Sequence, residues 1–326
     1  MNRDGYPVRW LLNSRDPSIQ YLTRVELLDQ ALEGEEVRAA RQQITSGPRV
    51  SGLLAGQLED GGFGVHPYKK WAGAHWRLVS LVELGIPAGE PRAVAAANQV
   101  LRWLTGSTHR GRIKRIAGLT RRCASQEGNA LAVCSRLGMT DDPRVAQLAD
   151  SLQEWQWPDG GWNCDKREEA RHSSFYESLA PLWGLMEYYR ATGEKSSLEA
   201  AQRCGELFLR HRMFRSERTG EIIDGQWLKL HYPLYWHYDI LQGLRMMAIL
   251  GKLVDARVQE ALDILESERL PDGRWRPGGY YWRPPDTKGS NVEVVDWGRG
   301  GPNRMITLNA LRVLKAAGRA SWSSGP

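Results

Sequence analysis

Gln156-Trp157-Pro158-Asp159-Gly160-Gly161-Trp162 decides how this chain is read, because its spacing returns elsewhere. Gln57-Leu58-Glu59-Asp60-Gly61-Gly62-Phe63 keeps the Gln, the Asp, both Gly and an aromatic residue, while Asp224-Gly225-Gln226-Trp227 and Asp272-Gly273-Arg274-Trp275 keep only Asp-Gly and a Trp. Self-similarity at intervals of roughly 20 to 50 residues marks a repeat architecture. Each copy is also a local stop signal: Gly takes the left-handed conformation past a helix end, and Asp binds backbone amides of the turn. The aromatic residue closes the turn. The Gln three positions before Asp falls in the last helical turn, where its amide reaches exposed carbonyls or the next repeat.

Working outward, two kinds of amphipathic segment alternate. Glu35 to Ile44, Arg92 to Leu104, Pro143 to Gln156, Ser197 to Arg212 and Asp255 to Glu268 carry apolar residues at spacings of three and four on a charged background, the pattern of outer helices. Ile19 to Leu28, Trp71 to Leu84, Ala124 to Leu137, Ser173 to Tyr189, Leu234 to Leu250 and Met305 to Ala316 are apolar on most sides, so they are predicted to be buried on most sides. Gly85, Gly138, Gly193, Gly251 and Gly318 follow inner segments where C-terminal caps belong. Asn291 to Val295 is the best strand candidate and reads as a loop. The expected fold is all-α, a single α/α toroid over residues 1–326 in which about six helical hairpins set an inner barrel within an outer one.

Composition agrees with a globular protein: 326 residues can bury a large core, and 41% hydrophobic with 25% charged residues excludes disordered and membrane-spanning classes. The aromatic balance is unusual, with 14 Trp against 4 Phe, and predicts broad aromatic surfaces at repeat contacts or in a cavity. Met1-Asn2-Arg3-Asp4-Gly5 lacks the features of a signal peptide and no run is long enough to span a bilayer, so the expectation is a cytoplasmic protein without a transmembrane segment. Peripheral membrane contact stays open. Cys123, Cys164, Cys134 and Cys204 give no disulfide framework and no CxxC knuckle. A net charge of +6 permits an anionic ligand without arguing for nucleic acid.

The Gln-x-x-Asp-Gly-Gly-Trp repeats between outer and inner helices resemble those of the α/α-toroid superfamily of squalene/hopene cyclases and protein prenyltransferase β subunits. The resemblance extends over nearly the whole chain as helical repeats. It implies a hollow inner barrel with functional groups near the N-terminal ends of inner helices, and a small apolar or isoprenoid substrate. The Asp-x-Asp-Asp motif that supplies the proton in class II cyclases is missing: Asp141-Asp142 stands before Pro143 and reads as a helix cap. The prenyltransferase side of the resemblance implies a zinc held by Asp, Cys and His. Cys123, Cys164, Asp165 and His172 are the candidate metal ligands here, with His237 near a further helix start, although their order departs from that family's pattern.

Polar residues within apolar helices are the other pointer, since burying them without partners costs kilocalories. Gln126, Glu127, Glu177, His237, Asp239 and Asn309 form this set. His237 and Asp239 lie in an aromatic box with Tyr235 and Trp236, where a desolvated carboxyl gains a raised pKa and can act as an acid. The expected assignments are Asp239 and His237 for acid/base work, Glu127 and Glu177 as cavity carboxylates, and Tyr235 and Trp236 against the substrate. Arg110, Arg112, Lys114, Arg115, Arg121 and Arg122 precede an inner helix and suit a phosphate or diphosphate headgroup. Two other readings fit the same residues. One is a carbohydrate-active toroid pairing Glu177 with Asp239, and the other is a non-catalytic binding or scaffold ring.

Overall fold

The computed structural model describes residues 5–320 of the chain. It is mostly helical, 51% helix against 3% strand. In order the elements are α1 Gly5–Leu12, α2 Pro17–Leu22 running into a π turn at Thr23–Leu27, α3 Glu35–Gln43, α4 Pro48–Leu54, α5 Ala74–Glu83, α6 Pro91–Thr105 and α7 Ser107–Arg110. Strands β1 Lys114–Ile116 and β2 Leu119–Arg121 follow, then α8 Ser125–Arg136, α9 Pro143–Trp155, α10 Phe175–Thr192, α11 Lys195–Arg210, α12 Ile240–Ile249, α13 Gln259–Ser267 and α14 Arg304–Ala316.

The two kinds of periodicity become two kinds of burial. On α9 the buried residues Val145, Leu148, Ala149, Leu152 and Trp155 make one stripe, whereas α8 is buried without a break from Glu127 to Ser135. α5, α8, α10, α12 and α14 pack in sequence, each on the next, and α14 returns to α2 and its π turn. Lys315 on α14 donates to the Leu27 carbonyl at 2.9 Å and pairs with Asp29 at 2.6 Å, tying α14 to the π turn after α2.

The repeat turn makes the glutamine contacts its residues predict, although Gln156 and Gln57 stand past the helix ends and Asp159 accepts from Ser173 N at 2.7 Å rather than from an amide of its own turn. Gln156 Nε2 donates to Gly160 O at 2.7 Å inside its own turn and to Ala200 O at 2.8 Å on α11. Gln57 does the same with Gly61 O and with Arg92 O on α6, at 3.1 and 2.8 Å. Only glycine fits at 160, where φ is +99° and a Cβ would stand 2.4 Å from the Arg203 carbonyl oxygen. The Trp162 indole donates to Leu152 O, ten residues back, at 2.9 Å, and Trp275 repeats the bond to Leu265 O at 2.8 Å. The copy at Asp272 is therefore fuller than its sequence shows: Arg269 stands where Gln would be and donates to Gly273 O at 3.1 Å.

Three expectations change. The segment predicted as helix from Leu234 turns helical only at Ile240, because Tyr235 takes φ +58° and Asp239 caps α12 in an extended conformation. The inner segment predicted from Trp71 starts at Ala74. The basic stretch does not run straight into a helix but forms the β1–β2 hairpin, turned at Ala117-Gly118, both of positive φ as a tight two-residue hairpin needs. Asn291 to Val295 is a loop with one isolated bridge, Val292 to Arg283.

Candidate functional site

Side chains of α5, α8, α10 and α12 and of the loop 233–237 surround a narrow cleft of about 60 Å³. Its wall is aromatic, from Tyr176, Trp183, Tyr235 and Trp236, with polar groups from Asn129, His237 and Gln242. Glu83, Trp183 and Arg245 form the floor, and they are also the roof of a second, more charged hollow among the C-terminal halves of the same helices. Arg245 pairs with Glu83 at 2.8 Å, so this floor is an ion pair as well as a ring.

Tyr235 and Trp236 of the aromatic box both line the cleft wall. Tyr235 stacks on Trp71 with centroids 3.4 Å apart, and its hydroxyl donates to the buried Glu293. His237 stacks on Tyr281 at 3.4 Å and bonds Leu234 O through Nδ1 at 3.0 Å. A carbonyl only accepts, so Nδ1 carries the hydrogen and Nε2 is left as an acceptor. Burial lowers the His237 pKa to about 4, which keeps the ring neutral at pH 7.

Asp239 does not reach the cleft. It is the N-cap of α12, fully buried, accepting from Gln242 N at 3.0 Å and from His231 N at 2.8 Å. Amides occupy both of its oxygens, which is the arrangement of a cap rather than of a proton donor facing substrate.

Cys123, Cys164 and Glu177 come together at the heads of α8 and α10, with two Sγ atoms and a carboxylate oxygen all within 4.8 Å of one another. The reason is helix packing. At Gly128 on α8 a Cβ would meet Pro181 N on α10 at 2.3 Å, and at Gly184 it would meet Gly128 O at 2.4 Å, so these helices touch backbone to backbone. That contact brings Glu177, in the first turn of α10, to the head of α8, where the Ser125 amide donates to its Oε2 at 3.1 Å. Oε1 is left facing Cys164 Sγ at 3.6 Å. The hydrogen bond between the two thiols holds Cys164 below the ordinary thiol range and pushes Cys123 above it. Burial raises the Glu177 pKa.

The remaining candidates separate. Asp165 is engaged by Arg167 at 2.6 Å and held down to about 2 by that hydrogen bond, while His172 is exposed, so neither joins the thiols. Glu127 is buried and accepts from Arg122 at 2.6 Å, with His109 Nε2 3.2 Å from the same oxygen. Arg121 bonds Ala170 O at 3.0 Å and lies 4.5 Å over Trp157. Arg110, Arg112, Lys114 and Arg115 are exposed around the hairpin. The basic run thus divides between solvent and structural partners instead of converging on one anion.

Glu83, Gln242, Arg245 and Tyr281 are site residues that the sequence reading lacks. A charged residue inside an apolar segment was the available signal for Glu83 and Arg245; Tyr281 comes from a loop with no periodicity. Among the described residues no helix is long and apolar enough to cross a membrane.

No family model matches the chain, and no curated protein does. Among solved structures, a crystal structure of a protein from Actinoplanes covers 97% of this chain and 98% of its own at 16% identity and a TM-score of 0.44, a likeness from which neither arrangement nor chemistry carries over. What is established is the class, a predominantly helical protein.

Proposed function

We propose that the chain is one α/α-toroid domain that takes up a small apolar molecule of isoprenoid type in its central hollow and acts on it, in the manner of a terpenoid cyclase, isomerase or prenyl transferase. The ring is supported by the return of α14 to α2 and by the repeat turns, in which Gln156 and Gln57 each tie an outer helix to the next. The observation that carries the ligand class is the cleft wall of Tyr176, Trp183, Tyr235 and Trp236. Such a surface buries a hydrocarbon chain at about 25 cal/mol per Å², and the ring faces stabilise a cation developing on it. Neutral His237 offers an acceptor at the mouth. With Arg122 taken by Glu127 and Arg110, Arg112, Lys114 and Arg115 exposed around the hairpin, a neutral chain fits the site better than a diphosphate.

Trp183 and Trp236 make the test direct, because a molecule in the cleft changes their fluorescence. Farnesol and geranylgeraniol are expected to quench it saturably, and Trp236→Ala to weaken binding roughly tenfold, about 1.4 kcal/mol. Quenching by an oligosaccharide but by no prenyl alcohol would overturn the proposal in favour of the carbohydrate reading.

A further inference from the structure

We infer that Cys123, Cys164 and Glu177 form a binding site for a single thiophilic divalent ion, zinc by its chemistry, with three protein ligands and one open position. Tetrahedral zinc with bonds of about 2.3 Å to sulfur and about 2.0 Å to oxygen places those ligand atoms about 3.5 Å apart. Glu177 Oε1 and Cys164 Sγ stand 3.6 Å apart, and the whole set lies within 4.8 Å. Two thiolates and one carboxylate select zinc or cobalt over magnesium or calcium, which take oxygen ligands.

The surroundings are those of a prepared site. The Ser125 amide occupies Glu177 Oε2 and so turns Oε1 toward the sulfurs, as partners behind a metal ligand do. The ligands come from three places in the chain, and the contact of α8 with α10 through Gly128 and Gly184 holds two of them in register. An open fourth position is the mark of a zinc that binds water or substrate rather than a purely structural one. This site stands independently of the apolar-ligand proposal, since either can fail alone.

The full chain, reduced and stripped with a chelator, is titrated with cobalt(II). Expected are about one equivalent bound, near-ultraviolet sulfur-to-cobalt charge-transfer bands, visible bands of tetrahedral intensity, and loss of all of them on adding zinc. Cys123→Ser and Cys164→Ser are expected to remove most of the charge-transfer intensity. Glu177→Gln should keep the sulfur bands and weaken cobalt binding roughly tenfold or more, at least as much as losing an outer partner costs. Asp165→Asn and His172→Ala should change nothing. As a measurement that needs no variant, zinc should protect Cys123 and Cys164 from alkylation, read peptide by peptide. Wild-type protein without charge-transfer bands, zinc without effect on alkylation, a Cys123–Cys164 disulfide persisting under reductant, or bands lost in Asp165→Asn would each overturn the assignment.

Discussion

His75 on α5 gives the chain a calculable dependence on pH. It is 2% exposed, ringed by Tyr68, Trp76 and Trp103, and burial lowers its pKa from 6.5 to about 3. Because the folded value lies below the unfolded one, the unfolded chain takes up the proton first as pH falls. Stability is therefore full above the unfolded pKa, is lost as pH drops below about 6.5, and keeps falling until about pH 3. Between pH 7 and pH 5 the unfolded imidazole gains most of a proton while the folded one gains almost none. That difference is worth about 2 kcal/mol at 1.36 kcal/mol per unit, a sizeable part of a typical 5–15 kcal/mol. The assay is urea unfolding of wild type and His75→Gln at both pH values, followed by tryptophan fluorescence. Gln does not titrate, so its loss between the two pH values should be smaller by about 2 kcal/mol, whatever the variant costs at pH 7. Equal losses in the two proteins would refute the reasoning.

Arg122→Ala should destabilise the protein by about 3 kcal/mol or more, because it strands the buried Glu127 carboxylate; thermal unfolding of the single variant and of Arg122→Ala/Glu127→Gln checks this, the second change restoring part of the loss. Asp239→Ala should cost about 1–2 kcal/mol through loss of the α12 cap and of the bond from His231 N, with prenyl alcohol binding retained, whereas an unchanged melting temperature would remove the capping role.

The fold was legible where local chemistry dictates it. Gln156 and Gly160 specify one turn and one contact with the next helix, and the structure makes both. Where a different side chain does the same work, the pattern weakens: Arg269 replaces Gln, and only its bond to Gly273 O reveals the equivalence. The β1–β2 hairpin was hidden because its turn is Ala117-Gly118 and its strands are half basic, so charge dominates the reading.

The site was legible in part. Cys123, Cys164 and Glu177 each stand out as polar groups near inner-helix heads, but what joins the carboxylate to the thiols is the meeting of Gly128 with Gly184, a contact between helices with no trace in local spacing. Asp239 shows the opposite case. Its aromatic neighbours draw it into a chemical role, yet the spacing from Asp239 to Gln242 resembles a capping box, and capping is the role the structure gives it.

The central claim is that the cleft walled by Tyr176, Trp183, Tyr235 and Trp236 is a pocket for an apolar molecule. Native mass spectrometry of the gently purified protein, incubated with prenyl alcohols and oligosaccharides together, tests it most directly. One prenyl alcohol bound per chain, displaced to a minor species in Trp236→Ala, is the predicted result; an oligosaccharide adduct, or no prenyl adduct at any concentration, would contradict it.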